Sequence, residues 1–105
     1  MEIRFEKEYL RELYEKGKTK EKKYRFQPQV VNKYRKTIDL LESVSQIEDL
    51  YKFHSLNYKV LEGDKKGISS VRVNNQYRIE FTVTQVISET VVAICNILEL
   101  SNHYK

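Results

Sequence analysis

Ser69-Ser-Val-Arg-Val-Asn-Asn-Gln-Tyr-Arg-Ile-Glu-Phe-Thr-Val83 is the stretch on which the fold turns. Its apolar residues Val71, Val73, Tyr77, Ile79, Phe81 and Val83 alternate with polar ones, the period of a half-buried strand. All six share one face only if the connection between the two runs has odd length, since a one-residue slip exposes one whole apolar set. The loop Asn74-Asn75-Gln76 meets that condition. Pairing Val73 with Tyr77 then sets Ser70 opposite Glu80 and Arg72 opposite Arg78 on the other face. Like charges directly opposed in a sheet are unfavourable. Either Glu80 or an anionic ligand from outside is needed to relieve them.

Working outward, Val-Val-Ala-Ile-Cys-Asn-Ile-Leu-Glu-Leu (91–100) is apolar on both faces, as a central strand requires. Upstream the period changes. Tyr9, Leu10, Leu13 and Tyr14 recur at helical spacing within 6–16, and Gly17 stands where a helix stops. Pro28 suits a first helical turn, and Val30, Val31, Tyr34, Ile38 and Leu41 form one stripe through about Ser43. Met1–Phe5 alternates like a short edge strand. Ser45-Gln-Ile-Glu48 has the form of a capping box and predicts a helical turn through Tyr51, followed by a polar connection over 54–67. The expected architecture is a single α+β domain over 1–105: two N-terminal helices packed on a small twisted antiparallel sheet.

At 105 residues, 40% hydrophobic and 32% charged, the chain sits in the globular range and leaves no room for a second substrate domain. The lone cysteine, Cys95, excludes an intramolecular disulfide and a multi-cysteine zinc site; within an apolar strand it reads as core, and it fits a reducing cytosol. The N-terminus does not resemble a signal peptide, and no run approaches the ~18 apolar residues of a membrane span. A cytoplasmic protein with no membrane partner is expected. The net charge is +4, yet residues 16–25 (KGKTKEKKYR) hold six bases and one acid, whereas 37–51 hold four acids and no base. Lys18, Lys20, Lys22, Lys23 and Arg25 thus make a basic connection between the two helices. It reads either as a hydrated surface or as an attractor of nucleic-acid phosphates.

Leu61-Glu-Gly-Asp-Lys-Lys-Gly67, Ser70-Val-Arg-Val-Asn74 and Gln76-Tyr-Arg-Ile-Glu-Phe81 together resemble the signature of HigB-type toxins in the RelE/ParE superfamily. The ending Leu98-Glu-Leu-Ser-Asn-His-Tyr-Lys105 is similar to that family's closing segment. The resemblance is strongest from about residue 57 onward and rests mainly on element order in the helical half. It implies the RelE/ParE-like fold and the toxin of a type II toxin-antitoxin pair, a ribosome-dependent mRNA endonuclease (mRNA interferase) working without metal or cofactor. In that chemistry a ribose 2′-hydroxyl attacks the adjacent phosphorus and expels the 5′-oxygen. The reaction calls for a base, an acid and cations on the phosphorane.

The same resemblance assigns Arg78 to the phosphorane and Arg72 to a share of that load or to the RNA backbone. His103 becomes the acid or base, with Tyr104 stacking on a base or orienting the phosphate. Many relatives read Asp-Tyr-His-Lys where this chain has Asn102-His103-Tyr104-Lys105, so those two roles are interchangeable here. Glu62 occupies a position where relatives often carry lysine, leaving Lys65 and Lys66 to supply positive charge to RNA. The implied partners are the ribosome, mRNA and a cognate antitoxin, expected to be a helix-turn-helix protein from the same operon. Two other functions compete: a ParE-like DNA gyrase poison, and a non-catalytic RNA-binding module. Without the resemblance, Arg72 and Arg78 read as a solvated sheet face with a structural Arg78–Glu80 contact.

Overall fold

The computed structural model describes residues 1–87 and 89–102. The alternating stretch becomes strands β3 (Ser69–Arg72) and β4 (Tyr77–Ile87), followed by β5 (Val91–Asn102). The register is the one demanded by the odd loop: Val71 pairs with Ile79, Ser70 with Glu80 and Arg72 with Arg78. Before them come β1 (Glu2–Phe5), helix α1 (Glu8–Lys16), helix α2 (Pro28–Ser43) and a two-residue strand β2 (Lys59–Val60). The sheet order is β1-β5-β4-β3-β2, so β5 is flanked on both sides as its two apolar faces require.

The sheet is mixed, which corrects the expectation of an antiparallel one. β1 runs parallel to β5, from Glu2 opposite Ile94 to Phe5 opposite Ile97. Short hairpins impose antiparallel pairing, but β1 is separated from the other strands by both helices, and such a crossover permits a parallel neighbour. Alternation of side chains reports a strand's faces and carries no information about its direction. The supposed polar connection over 54–67 also holds structure: β2 pairs with β3, and single 3₁₀ turns occur at His54–Leu56 and Gly63–Lys65. The turn at Ile47–Lys52 is present, but its N-cap is Gln46 without a side-chain cap bond, so Ser45 and Glu48 form no capping box.

α1 ends as its sequence dictates. Gly17 adopts φ 76, a left-handed conformation that L side chains rarely adopt, and its N–H donates to the Leu13 carbonyl at 3.1 Å. Tyr9, Leu10, Leu13, Tyr34, Ile38 and Leu41 of the helices bury against Val71, Ile79, Phe81, Cys95 and Ile97 of the sheet. Full burial of a large apolar side chain is worth roughly 1.5–3 kcal/mol before entropic costs, so this single core dominates stability. Tyr34 donates its hydroxyl to the Leu10 carbonyl at 2.7 Å, which pins α2 to α1 and satisfies the phenol inside the core.

A register shift at Glu80/Phe81 changes what the opposite face presents. Glu80 pairs with Glu99, whereas Phe81 pairs with Ile97, leaving Leu98 as an extra residue on β5. The face of the sheet turned away from the core therefore opposes Arg72 to Arg78 and, two residues along β4, Glu80 to Glu99.

Candidate active site

The three-residue hairpin loop contains no glycine and is held instead by one side chain. The Asn74 side-chain oxygen accepts the Gln76 N–H at 2.8 Å and the Tyr77 N–H at 2.7 Å, while the Val73 N–H donates to the Tyr77 carbonyl at 3.0 Å. These bonds fix the turn and hence the facing of Arg72 and Arg78. The guanidinium of Arg72 donates to the Asn75 side chain, which aims it over the turn.

Glu80 supplies the internal anion that the opposed arginines call for. Its side chain is only 5% exposed, and one carboxylate oxygen accepts from Arg78 at 3.2 Å. Lys65 donates to both oxygens, at 3.1 and 2.8 Å. One carboxylate thus orients two cations from different elements and leaves their sum positive, an arrangement that prepares guanidinium for a second anion. Its neighbour across the strands, Glu99, is held separately by Lys7 at 2.8 Å and by the Tyr9 hydroxyl. Burial alone pushes the Glu99 carboxyl up, but the bonds from Lys7 and Tyr9 outweigh it and bring it below the usual glutamate range. Burial and the bond to Glu99 together push the Tyr9 phenol far above its ordinary range.

Beside these residues lies a cleft of about 170 Å³, walled by Asn57, Lys59, Ser70, Arg72, Asn75 and Arg78. Its described lining contains three cations and no carboxylate. Asn57 takes φ 45, a left-handed conformation in which asparagine is tolerated, and its N–H closes the preceding turn on the His54 carbonyl at 3.1 Å. The cleft has the charge and dimensions for a phosphodiester, with planar guanidinium groups on two adjacent strands.

The structure brings together some of the residues expected from sequence and separates others. Arg72 and Arg78 share the cleft, and Lys65 is tied to Arg78 through Glu80. Lys66 is exposed and does not wall the cleft, and Glu62, also exposed, makes no described contact with it. Lys18, Lys20, Lys22, Lys23 and Arg25 are all exposed on the helix connection, which includes a 3₁₀ turn at Lys22–Tyr24, and none of them walls the cleft. That connection is anchored by aromatic contacts: Tyr24 stacks on Tyr9 at 3.6 Å, and Phe26 meets Tyr77 edge-on at 5.3 Å. His103 and Tyr104 lie outside the described residues. The last described residues, Ser101 and Asn102, pair with Arg78 and Tyr77.

Sequence reasoning missed Lys59, Asn57 and Asn75. Lys59 enters through β2, and a two-residue strand is too short for its period to be seen. Cys95 is fully buried, and burial pushes its thiol up to about 12, which makes it an inert core residue.

The family of HigB-like toxins, described as the RelE-like toxin of the type II toxin-antitoxin system HigB, matches residues 3–94. That match takes in the helical half as well as the cleft and ends before the closing segment. Among solved structures, a YoeB/ParE toxin from Agrobacterium tumefaciens is similar in fold, with a TM-score of 0.55 and 19% identity over 99% of this chain and 100% of that one. No curated protein matches in sequence.

Proposed function

The chain belongs to the HigB-like family of RelE-like toxins from type II toxin-antitoxin systems, and from that premise we propose that it is a ribosome-dependent mRNA endonuclease. The observation that carries the proposal is the pairing of Arg72 with Arg78 across the β3–β4 hairpin, at a cleft whose described lining holds no carboxylate. Two guanidinium groups set opposite each other on adjacent strands make a preformed receptor for a phosphate that gains charge.

In the proposed reaction the 2′-oxygen of a ribose forms a bond to phosphorus as the bond to the 5′-oxygen breaks. A base takes the 2′-proton and an acid returns one to the leaving oxygen, so the products are a cyclic phosphate and a free 5′-hydroxyl. Arg78, oriented by Glu80, meets the phosphorane oxygens, and Arg72 shares their charge or holds the adjoining backbone. His103 and Tyr104 are our candidates for acid, base and base-stacking. Asn102, the last described residue before them, pairs with Tyr77 beside the cleft. Lys66 and the basic connection bearing Lys18, Lys20, Lys22, Lys23 and Arg25 are assigned to docking on ribosomal RNA. Membership of the family also implies an antitoxin partner, which we expect to be a helix-turn-helix protein.

The test is expression in a bacterial host from a tightly repressed promoter, with mapping of mRNA 5′ ends as growth stops. New ends inside the codons of translated messages are expected, and Arg78→Ala should abolish them while still binding antitoxin. Arrested replication with intact messages would replace the proposal with a gyrase-poisoning mode of action.

A further inference from the structure

We infer that the face of α2 next to the β3–β4 turn is a second subsite for single-stranded RNA, in which Lys33 and Lys36 take the phosphodiester next to the one at Arg72 and Arg78. The inference rests on the RNA-cleaving reading and extends it to substrate length.

A second groove runs from the turn onto α2, lined by Lys33, Lys36, Leu40, Leu56 and, again, Arg72 and Asn75. Arg72 and Asn75 also wall the first cleft, so the two depressions meet at the hairpin loop. Neither has an acidic residue in its described lining. Lys33 and Lys36 stand three residues apart, which places them on one side of α2, and both are exposed. No described side chain forms an ion pair with either. The nearest acid on the same helix, Asp39, accepts a hydrogen bond from Tyr14 of α1.

The surroundings of the cleft are asymmetric. Across the sheet from Arg78 stands Ser101, and two residues along β4 Glu80 lies opposite Glu99, two carboxylates whose described cations are already engaged with them. Beyond Arg72 the path is lined by Lys33 and Lys36, with the half-buried Leu40 offering apolar surface to a base. A strand with one phosphate between the arginines therefore leaves across the turn toward α2. An acidic protein segment would meet the same lysines, but it has no reason to share Arg72 with a phosphate site. Continuity between the grooves favours RNA.

Fluorescence anisotropy with 2′-O-methyl RNA, which supplies no 2′-hydroxyl nucleophile, reads the subsite separately from cleavage. The probes are a dinucleotide and an octanucleotide, compared on wild type and the double variant Lys33→Gln/Lys36→Gln. The octanucleotide should bind the variant several-fold more weakly, with its salt slope reduced by about 0.7 per lysine lost. Dinucleotide binding should be unchanged, and Lys33→Arg/Lys36→Arg should restore the octanucleotide. An unchanged octanucleotide affinity and slope overturn the subsite, as does a wild type that binds both lengths equally or neither. A variant that loses only antitoxin affinity also overturns it, in favour of a protein contact. Cleavage on programmed ribosomes is scored in parallel: wild-type cleavage with an unaffected octanucleotide removes the subsite alone. Lysine-dependent octanucleotide binding without cleavage keeps the subsite and removes the nuclease reading.

Discussion

Glu80 is 4% exposed, yet it accepts from an arginine on its own strand and a lysine from the turn before β3. Replacing it with glutamine keeps the shape and removes the charge, taking one anion away from the opposed Arg72 and Arg78. Lys65 is 42% exposed and can be rehydrated, so the loss is that of a partly screened pair, about 1–2 kcal/mol. Thermal melts of Glu80→Gln should show that loss together with weakened RNA cleavage; an unchanged midpoint would mean that Glu80 does not hold the two cations. Glu99 gives a pH signature. Its folded carboxyl lies below the usual range, so its contribution is complete above the unfolded glutamate value, ~4.3, and is lost as pH falls through the lower folded value. Below about pH 4.3, wild type should lose stability more steeply than Glu99→Gln, as acid titrations followed by circular dichroism would reveal. At this scale the sequence was informative where periodicity constrained it: the odd loop set Arg72 against Arg78, and Glu80 was one of two ways to relieve them. It was silent on Lys59, and the roles of His103 and Tyr104 remain readings of the family resemblance.

At the scale of elements, the hairpin β3–β4 depends on a turn without glycine, so Asn74 performs with its side chain what a permissive backbone does elsewhere. Asn74→Ala removes acceptors from two N–H groups and should cost about 1–2 kcal/mol, with impaired cleavage from a loosened Arg72–Arg78 register. Equal stability of variant and wild type in urea would contradict that role for the turn. Further along, β3 ends its pairing at Ser69 opposite Phe81, and β1 begins at Glu2 opposite Ile94. The rest of β4 and β5 projects as a two-stranded ribbon, with Val86, Ile87, Val91 and Val92 exposed. Amide exchange should therefore be fast at 84–87 and 91–93 and slow at 79–81 and 95–97, and uniform protection would show that the ribbon is covered in solution. The helices were legible because caps and stripes are local signals. The parallel docking of β1 was not, because it depends on the helical crossover and leaves no mark on the alternation of Met1–Phe5.

Across the whole molecule, two of the places where positive charge gathers differ in kind. The exposed connection 16–25 accounts for the net excess, whereas Lys59, Arg72 and Arg78 contribute local charge at a cleft on another part of the surface. The connection is suited to steering and docking on a polyanion and the cleft to chemistry on one phosphate. Removing charge from the connection should weaken ribosome association most strongly at low salt; removing Arg78 should leave association intact and stop the reaction. Purified protein, ribosomes programmed with a defined message, and analysis of the RNA ends together decide whether the cleft cuts RNA. Cleavage in the decoding-site codon to a 2′,3′-cyclic phosphate and a 5′-hydroxyl is expected, with no cleavage by Arg78→Ala bound to the same ribosomes. An intact message with wild-type protein, or undiminished cleavage by Arg78→Ala, would contradict the nuclease reading.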